Sequence, residues 1–219
     1  MSELRKHFDL SLKELKEETL KMFQDIHRTY DNLFYIIETK DIQMANQLID
    51  DDALINKREI TINDMGYLII VRQCPVATDL RRIMIAIKIA NDLERIADYA
   101  ANIATYITKT KYDNSFYLNA MKTFKEPLLE MLEVLEEAFK HEDTKQAFNV
   151  CEMDNQIDEL YTNHVKEFIR VTKEKIDIEA EEASRGIIVV KQFERAGDHL
   201  TNIAEEIIFL QSGKHLELN

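Results

Sequence analysis

Two stretches of this chain, one hundred positions apart, align without a gap. Asn91 to Ile107 reads NDLERIADYAANIATYI, and Lys191 to Ile207 reads KQFERAGDHLTNIAEEI. They share Glu94 with Glu194, Arg95 with Arg195, Asp98 with Asp198 and Asn102 with Asn202, then Ile103 with Ile203, Ala104 with Ala204 and Ile107 with Ile207. Such a period restricts the chain to an internally repeated fold with two equivalent sites. The Glu-x-x-x-Asp element inside it puts two carboxylates one helical turn apart on one face.

The repeated unit is helical. A sandwich or barrel needs turn residues every few positions, and 219 residues holding only four glycines and two prolines do not supply them. The expected fold is all-α: two tandem three-helix bundles, elongated, made of six long antiparallel helices. The polar break Tyr112 to Ser115 sets the repeats at residues 1–112 and 113–219.

Apolar spacing places the six helices. The first runs from about Leu4 to Glu38, with Phe8, Leu12, Leu15, Met22, Ile26, Leu33 and Ile36 on its seam. Asp41 is a good N-cap for the second, which reaches about Gln73 with Ala45, Leu48, Ile55, Ile62 and Ile69 on its seam and Asp52 among them. Pro75 marks the next boundary. The third, about Val76 to Thr110, has a seam of Leu80, Met84, Ile87, Asn91, Glu94, Asp98, Ala101 and Thr105. Ile83, Ile85, Ile89, Leu93, Ile96 and Ile103 make it apolar over much of its circumference, as expected of a central helix. The fourth spans Phe116 to Lys140, with Pro127 either kinking it or delaying its start. In the fifth, Thr144 to Thr172, Asp154 matches Asp52 at an offset of 102 residues. The sixth starts near Asp177, carries Glu179, Glu181 and Glu182 where they complement the helix dipole, and ends near Gly213, a residue suited to a left-handed cap.

A lone acidic pair is ordinary on a solvated face. Here both pairs lie on seams, Asn102 and Asn202 follow them, and the preceding helices add Asp52 and Asp154. Several ionised carboxylates sharing a partly buried site raise one another's pKa, and metal cations relieve this. Oxygen donors suit hard cations such as magnesium, manganese or ferric iron. His199 offers a nitrogen to the second site only, its counterpart being Tyr99. The competing expectation is ion pairing with Arg72, Arg81 or Arg82, or a wet dimer interface. Arg95 and Arg195 are not expected to neutralise the Glu before them, because adjacent helix positions point apart.

Other chemistries lack their residues. None of the six histidines has Glu three positions before it, as a ferritin-like di-iron centre requires. No glycine-rich phosphate loop, nucleophile elbow or His-based metalloprotease motif is present. Cys74 and Cys151 are expected to be core thiols, with no disulfide or metal pattern. A formal charge of −13 argues against sequence-independent nucleic-acid binding and against a free anion as direct ligand. It suits cations and basic partners. The N-terminus has no signal or transit character, and the longest apolar run, Ile83 to Ala90, is too short for a bilayer. A cytoplasmic, non-enzymatic protein is expected.

PVATDLRRIMIAIKIANDLERIADYAANIA and FERAGDHLTNIAEEIIFL together resemble the two motif regions of the PhoU family of phosphate-transport regulatory proteins, at the expected separation and over essentially the full chain. The resemblance implies two PhoU repeats and multinuclear metal clusters, of iron, zinc, manganese or magnesium, around the Glu/Asp-x-x-x-Asp motifs. The matching positions are Glu94, Asp98, Glu194 and Asp198, with Asp52 and Asp154 as additions. It further implies a negative regulator of the phosphate-starvation response. Such a protein acts between the ATPase and permease components of an ABC-type phosphate transporter and a sensor histidine kinase. Membrane association only through partners is expected with it, and a homodimer is expected because open three-helix bundles leave an apolar edge to cover. The alternatives are an accessory regulator of an ion-coupled phosphate transporter, a metal-dependent phosphoesterase, or a helical scaffold or metal store. One departure stands out: EEASRGIIVVKQ precedes the second motif where DLRRIMIAIKIAND precedes the first, so the halves are not interchangeable.

Overall fold

The computed structural model describes residues 3–109, 115–174 and 180–213. They form α1 (Glu3–Thr39), α2 (Ile42–Gln73), α3 (Ala77–Lys109), α4 (Ser115–Lys122), α5 (Lys125–His141), α6 (Thr144–Glu174) and α7 (Ala180–Ser212). The repeat boundary at 112/113 and the start of the sixth helix near Asp177, with Glu179, lie outside the described residues. So do the side chains of Glu181 and Glu182.

Local chemistry explains where the helices begin and end. Asp41 caps α2 by accepting the Met44 N–H at 2.9 Å. Asp143 does the same for α6, taking the N–H groups of Lys145 and Gln146 at 2.9 and 3.3 Å. Gly213 closes α7 at φ +64, its N–H on the Phe209 carbonyl at 2.9 Å. Cys74, at φ 44, closes α2 just before Pro75. That left-handed position is on the surface, so Cys74 is exposed and not the core thiol expected. Cys151 is half-buried, and burial pushes its thiol up to about 11.

The expected fourth helix is interrupted. Pro127 has no N–H for the Thr123 carbonyl one turn back. The chain tightens there into i→i+3 bonds from Thr123 and Phe124, both 3.2 Å, and restarts as α5. The proline thus divides the element into α4 and α5, which together stand where α1 stands in the first repeat.

The bundle α1–α2–α3 and its counterpart α4/α5–α6–α7 lie side by side on one continuous core. Between repeats, α3 packs on α7 and α1 on α4 and α5, so each element meets its own equivalent. Lys88 reaches Glu206 at 2.5 Å and Asn102 reaches Gln192 at 3.5 Å. Numbers rising on α3 pair with numbers falling on α7, so the two are antiparallel. The repeats are therefore related by an approximate twofold, the self-complementary contact of an isologous dimer held within one chain. Phe34 of α1, Phe193 of α7 and Phe124 at the α4–α5 break stack across the junction. Their centroids are 5.8 and 4.8 Å apart, and all three are buried.

The core face of α3 is Ile83, Ala86, Ala90, Leu93, Ala97, Ala100, Ala104 and Ile107. It is rotated from the expected seam, on which Met84 is exposed and Glu94 and Asp98 are half-buried. The carboxylates border the core.

Candidate metal centres

In the second repeat α6 and α7 face each other with acids on both. Asp154 is 4% exposed, a burial made possible by Gly197 opposite it: a Cβ there would lie 2.5 Å from Asp154 Oδ1. One turn along α6, Asp158 joins Glu194 and Asp198, and one carboxylate oxygen from each lies within 4.8 Å of the others. Burial, then the Asp158 charge, pushes the Asp154 carboxyl up to about 6. Glu194 and Asp198 are raised chiefly by burial, against the opposing effect of Lys191.

The first repeat builds the same site less deeply. Ala97 stands where Gly197 does, and Asp52 is correspondingly only half-buried. It borders a cleft of about 330 Å3 that Asp25, Arg58 and Ala97 also line. Asp52 is raised by burial and then by Asp98. Burial followed by Asp98 raises Glu94, with further contributions from Glu59 and Asp52. Asn56 donates to Asp52 at 3.4 Å, and Asn63 donates to Glu59 at 2.5 Å and to Asn91 at 3.3 Å.

The six carboxylates singled out from the sequence thus fall into two groups, one per repeat: Asp52, Glu94 and Asp98, and Asp154, Glu194 and Asp198. The structure adds Asp158 to the second group and Glu59 beside the first. Asp158 carried a signal, since Asp154-x-x-x-Asp158 has the spacing of Glu194-x-x-x-Asp198, whereas its counterpart at the 102-residue offset is Asn56.

The ion-pair alternative finds few cations. Arg82 is committed to Glu142 through two bonds of 3.0 Å, and Arg81 donates to Thr78 at 3.2 Å. Arg95 does reach its neighbour, contrary to expectation: its long side chain folds back to Glu94 at 3.6 Å and to Asp98 at 3.0 Å. At 58% exposure that contact is weak. Lys191 is paired with Glu194. His199 offers no free ring nitrogen to the second site, because Nδ1 meets Asp92 at 2.8 Å and Nε2 meets the Tyr99 hydroxyl at 3.1 Å. Asn102 and Asn202 are exposed, and Asn102 points across the junction to Gln192.

Asp52 Oδ1, Asn56 Oδ1 and Asn63 Oδ1 in the first repeat, with Asp154 Oδ1 and Glu194 Oε2 in the second, are buried oxygens that no donor reaches. Buried acceptors are ordinarily satisfied. Oxygens without donors, gathered among carboxylates of raised pKa, fit hard cations in both repeats.

The family model described as "PhoU domain" matches residues 19–107 and 123–207, one copy per repeat. The chain is 31% identical over 220 residues to the "Phosphate-specific transport system accessory protein PhoU homolog 1" of Thermotoga maritima, covering 96% of this chain and 91% of that one. The homolog from Clostridium acetobutylicum is 29% identical, over 98% and 99% of the two chains. The crystal structure of "the phosphate transport system regulatory protein PhoU" from Streptococcus pneumoniae superposes with a TM-score of 0.89 at 27% identity, covering 96% of this chain and 99% of that one. That of PhoU from Pseudomonas aeruginosa gives 0.88 at 25% identity, over 94% and 100%.

Proposed function

The chain belongs to the PhoU family, and on that premise we propose that it is an accessory protein of a phosphate-specific transport system that represses the phosphate-starvation response. In this reading it is a non-enzymatic cytoplasmic adaptor. It contacts the ATPase and permease components of an ABC-type phosphate transporter on one side and a sensor histidine kinase on the other. The observation that carries the reading is the end-to-end similarity, in sequence and in fold, to proteins named for accessory and regulatory roles in phosphate transport.

The chain's own residues supply the parts an adaptor needs. Asp52, Glu94 and Asp98, and Asp154, Asp158, Glu194 and Asp198, would hold cations at the α2–α3 and α6–α7 faces. A cation bound there neutralises the clustered charge and ties neighbouring helices together. Tyr67, Leu68, Val71 and Val76 are large apolar side chains left exposed on α2 and the turn after it. Exposed apolar groups clustered this way are a face on which a partner helix packs. Among the described residues no helix is long and apolar enough to cross a membrane.

Deleting the gene and following a phosphate-starvation reporter in phosphate-rich medium tests the reading. Constitutive expression, reversed by the intact gene, is the expected result. Affinity capture should retain the transporter ATPase or the kinase. An unchanged reporter with capture of an ion-coupled phosphate carrier would replace this reading with the accessory role at that transporter. The cleft beside Asp52 favours one rival, a metal-dependent phosphoesterase. Turnover of p-nitrophenyl phosphate that disappears in Glu94→Ala would establish that rival.

A further inference from the structure

The two carboxylate sites share a motif but differ around it: beyond Asn56 against Asp158 and Ala97 against Gly197, two positions change what stands beside Glu94 and Glu194. Position 91 is Asn and its counterpart 191 is Lys; position 59 is Glu and its counterpart 161 is Tyr. The side chains make this difference local to the sites. Lys191 donates its ammonium to Glu194 Oε1, and the same ammonium lies 5.0 Å from the centre of the Tyr161 ring. The Tyr161 face and the Glu194 carboxylate hold one cation between them, half-buried at 35% exposure. In the first repeat position 91 carries an uncharged amide. Asn91 there accepts from Asn63 at 3.3 Å, and Asn63 also donates to Glu59, so a carboxylate stands at the place of Tyr161, and the cation that reaches Glu94 is the 58%-exposed Arg95.

We propose that Lys191 is a built-in counter-ion that competes with metal for the second repeat's carboxylates, so that the first site loads at lower metal concentration than the second. The proposal rests on the metal-binding reading above. Glu194 can turn Oε1 toward a bound cation only when the ammonium leaves, and while the ammonium stays its charge opposes any second cation among Asp158, Glu194 and Asp198. Release is feasible because lysine carries its charge on a flexible four-carbon stem, and the surface is close by. Lys191 therefore gates the site and does not block it. The buried Asp154 Oδ1 and Glu194 Oε2, which no donor reaches, show that the ammonium satisfies only part of the site. The protein would respond to metal in two stages, one from each half of an otherwise symmetric molecule.

The test is a Mn2+ titration of the full chain by calorimetry, with bound metal checked by elemental analysis. Each site is read alone in a background that silences the other: Glu94→Gln with Asp98→Asn, or Glu194→Gln with Asp198→Asn. The second site should bind at least tenfold more weakly than the first. Lys191→Met keeps the stem on Tyr161 and removes the charge, and it should tighten the second site about tenfold. Lys191→Arg should leave it weak, and Asn91→Lys should weaken the first site. Circular dichroism confirms that each variant is folded. A second site already as tight as the first, and unchanged in Lys191→Met, overturns the gate and leaves the metal reading standing. Binding of neither Mn2+ nor Zn2+ at either site, in any variant, overturns both.

Discussion

Tyr99 and His199 occupy the same position in the two repeats, and their side chains meet. The phenol oxygen lies 3.1 Å from Nε2, and the rings are 5.6 Å apart at 44°. Asp92 holds the other ring nitrogen at 2.8 Å. The approximate twofold passes close to this pair, which is why equivalent residues touch there. The histidine is thereby used in joining repeats. His199→Leu should lower unfolding stability by about 1–2 kcal/mol through loss of these bonds while leaving the metal content of the second repeat as it was. Urea unfolding and elemental analysis of the same preparation check both halves of the statement.

Glu94→Gln combined with Asp98→Asn should remove metal from the first repeat and leave helix content largely intact, because both side chains border the core and neither fills it. Circular dichroism beside elemental analysis reads the outcome. A large loss of helix at unchanged metal content would return these carboxylates to an ion-pair role.

Gly197→Ala should be costly out of proportion to one methyl group. Its Cβ would fall 2.5 Å from Asp154 Oδ1, so Asp154 must leave its buried position. The expected destabilisation is about 1–3 kcal/mol, as for overpacking, together with weaker metal uptake by the second repeat. Ala97→Gly in the first repeat has no such clash to relieve and should cost only about 0.5–1 kcal/mol, the helix penalty of glycine. Thermal unfolding of the two variants gives the comparison.

The pH dependence of the metal-free protein follows from Asp154. Burial raises this carboxyl to about 6, against an unfolded value of ~4. The folded state therefore holds a proton that the unfolded state has lost. This group's stabilisation is complete below pH ~4 and is lost as pH rises through about 6, a change of about 2–3 kcal/mol. Metal-free protein should be less stable at pH 7 than at pH 5 on this account. Asp154→Asn should flatten that slope in urea titrations across the range, and added Mn2+ should restore stability at pH 7.

Much of this molecule could be read residue by residue. Asp41, Pro75 and Gly213 set boundaries through backbone groups within a few positions of themselves, and apolar spacing marked Ile55, Ile62 and Ile69 as the buried face of α2. The repeat exposed Glu94, Asp98, Glu194 and Asp198 because two copies of one motif reveal each other. Pro127 was visible as a disturbance; its effect became definite only with the i→i+3 bonds at Thr123 and Phe124.

The helical class, the two repeats and the motif carboxylates are thus consequences of short-range periodicity and capping. Packing set how far each carboxylate sinks, with Gly197 admitting Asp154 while Asp52, in the repeat that has Ala97 at the equivalent position, stays half-buried. It also brought Asp158 and Lys191 to the second site, turned His199 away toward Tyr99 and Asp92, and joined the repeats through α3 and α7. The physical reason is range. Each of these facts is a distance between side chains on different helices or a choice of rotamer at their contact, and it exists only once the bundles have packed.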